Sequence, residues 1–190
     1  METKTLLITG FMPFGGDAVN PSWEAVSALP ETVGAYRLVK RLLPVEFGRA
    51  AALAIEEAEA IGACAVLCVG LAASRSCITP EVIGINLRSA RIPDNAGAAP
   101  IDEPVAADGP AAYFSTLPVR KMTEAIGSRG IPAMLSYSAG TYVCNDLLYS
   151  LLHRFSGTGT RVAFVHVPRL SEAFPLTVLS DALRAAIEAI

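Results

Sequence analysis

The chain holds only two histidines. One of them, His166, is the single polar side chain in an apolar run from Val162 to Pro168. A polar ring at the carboxyl end of a buried strand lies where open α/β sheets bind their ligands. The other, His153, sits beside Arg154 near the end of a helical segment, where a solvated cation is favoured, and reads as a surface or structural residue. Cys144 follows the small, turn-forming run Ser138-Ala139-Gly140-Thr141 and immediately precedes a Leu-rich helical segment. A thiol in the first turn of a helix meets unpaired N–H groups and the positive end of the dipole, and both favour thiolate. Cys144 and His166 together have the composition of a nucleophile and its base. Such a pair needs a third group to fix the imidazole tautomer. Glu81, after Thr79-Pro80, is one of several carboxylates able to serve.

Other chemistries lack their residues. There is no GxGxxG, no GxxxxGK[ST], no GxSxG and no HExxH. Gly15-Gly16 follows a strand, but no lysine completes a phosphate cradle, so it reads as a flexible turn. Of the four cysteines, Cys64 and Cys68 share an apolar run at a spacing unlike a zinc knuckle and read as core thiols. No metal and no organic cofactor is expected.

The elements that must position these residues alternate along the chain. Thr5–Thr9, Tyr36–Leu43, Ala65–Val69, Glu81–Leu87, Ala133–Tyr137 and Arg161–Val167 read as strands. Phe47–Ile61, Pro118–Arg129, Val143–Phe155 and Leu176–Ile190 read as helices. Arg161–Val167 is nearly all apolar, the pattern of a strand covered on both faces. The order predicts an α/β fold: a single three-layer domain over residues 1–190, its mainly parallel, twisted sheet carrying helices on both faces. Gly10–Asn20 and Asp94–Tyr113, rich in Gly, Pro, Asn and Asp, are long for connections, and long loops in such domains tend to be functional.

Composition bounds the partners. Apolar residues make up 52% of the chain, so a sizeable core forms and disorder is excluded. Charged residues are 17%, against about 25% in an ordinary domain, and the sparsely charged surface suggests self-association. A net charge of −3 with no Lys/Arg run argues against nucleic acid. The longest apolar stretch, Ala63–Ala73, falls short of the ~20 residues of a membrane span, and METKTLLITG lacks the apolar core of a signal peptide. A cytoplasmic protein with no membrane partner is expected.

At these residues the chain resembles the type I pyroglutamyl peptidases, or pyrrolidone carboxyl peptidases, cysteine peptidases that remove N-terminal pyroglutamate. The resemblance runs in family order through GFMPFGGDAVNPSWEAV (Gly10–Val26), ITPEVIGIN (Ile78–Asn86), ARIPDNAG (Ala90–Gly97), SYSAGTYVCN (Ser136–Asn145) and FVHVP (Phe164–Pro168). It implies a phosphorylase/hydrolase-like sheet. Cys144 is then the nucleophile, His166 the base and then the acid, and Glu81 the residue that orients His166. It also implies that Phe11, Phe14, Tyr142 and Val143 line an apolar slot for the lactam ring, that Arg91 lies near the catalytic centre, and that the chain forms a homo-oligomer, a tetramer in the family. Pyroglutamyl peptides are the expected substrates. The chain departs from the family where Gln-Ala-Gly-Gly-Arg is common: Leu71-Ala72-Ala73-Ser74-Arg75 stands there, leaving Leu71 at the pocket without a side-chain hydrogen bond to offer. Two other classes of protein suit such a sheet: a non-catalytic small-molecule binding module and a nucleoside phosphorylase-like transferase. The latter needs phosphate ligands that the Arg/Lys-poor loops do not supply.

Overall fold

Strict alternation of side chains along buried strands divides the core in two. The computed structural model describes residues 4–190. Its main sheet has six strands, in the order β2 (Thr32–Val33), β3 (Tyr36–Leu43), β1 (Lys4–Phe11), β4 (Ala65–Leu71), β8 (Arg161–Val167), β5 (Thr79–Pro80). The four central strands run parallel, and the short edge strands β2 and β5 run antiparallel to their neighbours. A separate hairpin pairs β6 (Ile83–Ile85) with β7 (Ala112–Phe114).

Because successive side chains point to opposite faces, Leu6, Ile8, Leu67, Val69, Ala163 and Val165 join one apolar layer. Helices α1 (Pro21–Ser27), α3 (Val119–Ser128) and α5 (Leu176–Glu188) cover that face. Leu7, Phe11, Val66, Cys68, Val162 and Phe164 join the other layer, under α2 (Arg49–Ala60) and α4 (Val143–Arg154). The same alternation turns His166, two residues beyond Phe164, toward the α4 side. No helix of the described residues is long and apolar enough to cross a membrane.

The expected three-layer fold is present, with local corrections. Glu81–Leu87 is a strand only at Ile83–Ile85. Ala133–Tyr137 forms no strand of its own and touches the sheet through isolated bridges, Ile78 to Ala133 and Glu81 to Ser136. Pro132 precedes this strip and Pro80 faces its middle, and neither carries an N–H, so a continuous ladder cannot form there. Cys64 lies just ahead of β4, half-buried, whereas Cys68 is inside it and fully buried. Helix α1 begins where the first long loop ends. Asn20 caps it by accepting from Ser22 N at 3.1 Å, and Pro21 occupies the first turn.

β1 connects to β3 on one side and, after β3, the chain crosses to β4 on the other side of β1. Such a reversal opens a crevice at the carboxyl ends of the strands. Phe11, Leu71 and His166 all lie at those ends.

Candidate active site

The pairing of β5 with β8 brings two distant side chains together. Thr79 stands opposite His166 and Pro80 opposite Val165, so Glu81 follows onto the diagonal of His166. Glu81 N donates to Phe164 O at 2.8 Å, and Glu81 O accepts from Ser115 Oγ at 2.6 Å. The Glu81 side chain is wholly buried, and its Oε1 accepts from His166 Nδ1 at 2.7 Å. With a carboxylate as acceptor, Nδ1 carries the proton and the Nε2 lone pair is left for the cavity. Glu81 Oε1 also accepts from Arg75 Nη1 at 2.6 Å, while Oε2 is buried without a partner.

Cys144 is the second residue of α4, whose N-cap, Tyr142, offers no side-chain cap. The first-turn N–H groups are thereby left for another acceptor. Buried polar residues just behind fasten this end of the helix. Asn145 accepts from Ile85 N at 2.9 Å and donates to Ile85 O at 2.9 Å and Leu87 O at 3.0 Å. Asp146 accepts from Gly48 N at 2.8 Å and pairs with Arg88 Nε at 2.5 Å.

Below Cys144 runs the end of β4. A Cβ at Gly70 would stand 2.6 Å from the Phe164 ring and 3.0 Å from Cys144 Sγ, and Gly70 is also the register partner of His166. Only glycine lets the strand pass this close to the thiol.

Cys144 and His166 share a cavity of about 160 Å³ with Phe11, Phe14, Asn20, Val45, Leu71, Ala139, Tyr142 and Val143. The Tyr142 ring meets Phe47 edge-on at 5.2 Å and Phe14 at 6.5 Å, and its hydroxyl donates to Pro93 O at 3.0 Å. All the expected pocket residues except Arg91 therefore line one cavity with the thiol and the imidazole. Arg91 is exposed and lines an adjoining hollow with Phe14, Ile92 and Tyr142. Among the described residues no hydrogen bond joins Cys144 to His166, and no three His, Cys, Asp or Glu side chains cluster as a metal site would require.

Electrostatics weigh against one expectation, a resting thiolate at Cys144. The helix start favours thiolate, but burial outweighs it. Desolvation, reinforced by the Glu81 charge, pushes the Cys144 thiol up to about 12, with Arg75 pulling the other way. Burial lowers His166, against the raising effect of its bond to Glu81. Both effects favour a neutral thiol and a neutral imidazole.

Asn20, Val45, Ala139 and Arg75 were not among the residues singled out from sequence. Asn20 carried a readable signal, an N-cap before proline. Arg75 carried one too, as the residue of Leu71–Arg75 that keeps the arginine of the family's Gln-Ala-Gly-Gly-Arg pattern, but its partners are brought to it only by the β5 turn and the strip around Ser138.

A family model for pyroglutamyl peptidases matches residues 4–189. The chain is 50% identical over 170 residues to a pyrrolidone-carboxylate peptidase of Chromobacterium violaceum, covering 89% of this chain and 80% of that one. It is 46% identical over 192 residues to the enzyme of the same name from Escherichia fergusonii, covering 97% and 90%. Among solved structures it superposes on pyroglutamyl peptidase I of Bacillus amyloliquefaciens with a TM-score of 0.92 at 41% identity, over 98% of this chain and 96% of that one. Pyrrolidone carboxyl peptidase of Thermococcus litoralis gives 0.92 at 37% identity, over 98% and 92%.

Proposed function

Since the chain belongs to the pyroglutamyl peptidase family, and is an enzyme of that type, we propose that it hydrolyses the amide bond after an N-terminal pyroglutamyl residue through Cys144, His166 and Glu81. Residues 1–190 act as one peptidase domain. The observation that carries the reading is the one small cavity in which Cys144 and His166 meet Phe11, Phe14 and Tyr142.

Cys144 Sγ attacks the pyroglutamyl carbonyl carbon while its proton passes to His166 Nε2. The carbonyl oxygen becomes an oxyanion and is met by the first-turn N–H groups of α4. His166 then returns the proton to the departing amine, the C–N bond breaks, and a pyroglutamyl thioester is left on Cys144. Water enters, His166 takes its proton, and hydroxide displaces the thiolate, which recovers the proton from His166. Glu81 holds Nδ1–H throughout and stabilises the imidazolium of each step.

The aromatic rings of Phe11, Phe14 and Tyr142, with Val45, Leu71 and Val143, enclose the faces of the lactam ring. They cannot by themselves tell a lactam from proline. Discrimination falls to polar groups at the ring edge: Asn20 and the backbone amides of the 10–20 and 71–75 loops. A site built to hydrogen-bond its substrate rejects an analogue lacking those groups by about 10⁴-fold. Proline's ammonium would moreover enter an apolar slot unpaired. The test is turnover of pyroglutamyl and prolyl fluorogenic amides by the purified chain under reducing conditions. The pyroglutamyl amide should be favoured by about 10³-fold or more in kcat/KM, with activity lost to a thiol alkylator. Comparable turnover of the two amides overturns the lactam pocket. No turnover of either leaves the binding-module reading in its place.

A further inference from the structure

We propose that Arg75 is a positioning residue of this site: its guanidinium fixes the Glu81 carboxylate and the turn leading to Cys144 relative to each other, and through Glu81 it sets the His166 ring. The inference rests on the roles of Cys144, His166 and Glu81 given above.

Arg75 lies in the loop after β4, its own N–H bonded to Ala72 O at 3.0 Å. Its side chain is 24% exposed, against 0% for Glu81. Nη1 donates to Glu81 Oε1 at 2.6 Å and also to Thr79 Oγ1. Nη2 donates to Ser138 O at 2.9 Å. Ser138 heads the Ser-Ala-Gly-Thr turn that delivers Cys144, and Thr79 stands opposite His166 in the β5–β8 pairing. One rigid fork thus reaches the loop of β4, the acid and the approach to the nucleophile. A lysine ammonium, a single point donor, cannot span all three.

The pattern of bonds on Glu81 shows why this goes beyond an ion pair. Oε1 accepts from both Arg75 and His166, while Oε2 is buried with no partner. Two donors on one oxygen therefore determine the rotation of the carboxylate. Without Arg75 only the His166 bond restrains it, and a buried negative charge stands without its counter-ion. The charged groups facing the His166 ring are Glu81 and Arg75, with the Cys144 thiol across the cavity. The Arg75 charge works against protonation of His166 and favours ionisation of Cys144, the directions a base and a nucleophile require.

The experiment compares the wild-type chain with Arg75→Gln and Arg75→Lys on a fluorogenic pyroglutamyl amide, reading kcat, KM, the pH profile of kcat/KM and the thermal melt. Arg75→Gln should lose about 100-fold in kcat with KM changed by no more than about threefold. Its acid limb should move to higher pH, because His166 loses the neighbouring cation. Arg75→Lys should keep the acid limb of the wild type and lose about tenfold in kcat, having the charge without the fork. A guanidinium of purely architectural value would lower the melt of both variants and leave the acid limb unmoved in Arg75→Gln. That outcome overturns the proposal, as does wild-type kcat in either variant. Should Arg75→Gln fail to fold, the lysine variant decides, by a reduced kcat on an unmoved acid limb or by its absence. A wild-type chain that does not cleave the amide removes the catalytic reading and this one together. Cleavage by the wild type with an unaltered Arg75→Gln profile removes this one alone.

Discussion

Burial drives the Cys144 thiol and the His166 ring toward their neutral forms, so in the proposed mechanism the proton crosses only as sulfur attacks. The sign of the pH dependence follows. Protonated His166 cannot accept, so activity falls as pH drops through the ring's titration, which burial places below the ordinary 6.5. At the alkaline end the departing amine loses its acid once the thiol has ionised, which burial delays beyond the ordinary 9.0. A broad plateau of kcat/KM between those limits is expected, and an acid limb above 6.5 would contradict the electrostatics. Cys144→Ala and His166→Ala should each abolish nearly all turnover, because nucleophile and base act as one unit. Glu81→Gln keeps an oxygen to accept from Nδ1 but loses the charge, and should cost about 10³-fold in kcat. Wild-type behaviour of Glu81→Gln would mean that another group orients His166. These residue types were legible in the sequence for a plain reason. A lone polar ring in an apolar strand and a thiol at a helix start are local features, whereas Glu81 was one carboxylate among many until the β5–β8 register singled it out. The helix start that favours a thiolate is visible in sequence, and the desolvation that opposes it is not.

At the scale of elements, the site depends on how closely β4 passes beneath α4. Gly70→Ala would thrust a methyl group to 2.6 Å from the Phe164 ring and 3.0 Å from Cys144 Sγ. The ring or the helix start must then shift. Overpacking of this kind costs typically 1–3 kcal/mol, and the displaced thiol should lower kcat by about 100-fold, since misplacement by about 1 Å is enough for that. A variant with a reduced melting temperature and full kcat would show that the β4–α4 approach does not set the thiol's position. The long strands and helices were readable from period and from their Gly and Pro boundaries. Short elements were not. α1 has seven residues and shows in sequence only as Asn20-Pro21, while the strip 133–137 is apolar enough for a strand but follows Pro132 and faces Pro80. Arg75 matched the last position of the family's Gln-Ala-Gly-Gly-Arg block, but its role is made of contacts between three segments that the block does not report.

Considered whole, the molecule gathers the ends of β1, β4 and β8 and the start of α4 at one crevice, which the βαβ order of the chain already implied. What the order does not fix is which loop residues reach the crevice, and Arg91, carried over from the family pattern, lies in the adjoining hollow instead. The outer surface keeps large apolar side chains exposed, Ile101 at 72%, Phe114 at 70% and Tyr137 at 67% among them. With the low charge content they fit the homo-oligomer that the family resemblance implies, which we propose for this chain. Sedimentation of the purified chain should give a species several times 19.9 kDa, and a monomer at micromolar concentration would contradict it.

The central claim is that Cys144 carries the pyroglutamyl group between its two transfers. Acid-quenching the enzyme during steady turnover of a pyroglutamyl amide, followed by peptide mapping, tests it most directly. The account predicts a pyroglutamyl thioester on the peptide containing Cys144, none on those containing Cys64, Cys68 or Cys77, and neither adduct nor turnover in Cys144→Ala. Turnover that persists in Cys144→Ala, or an adduct on another thiol, would contradict it.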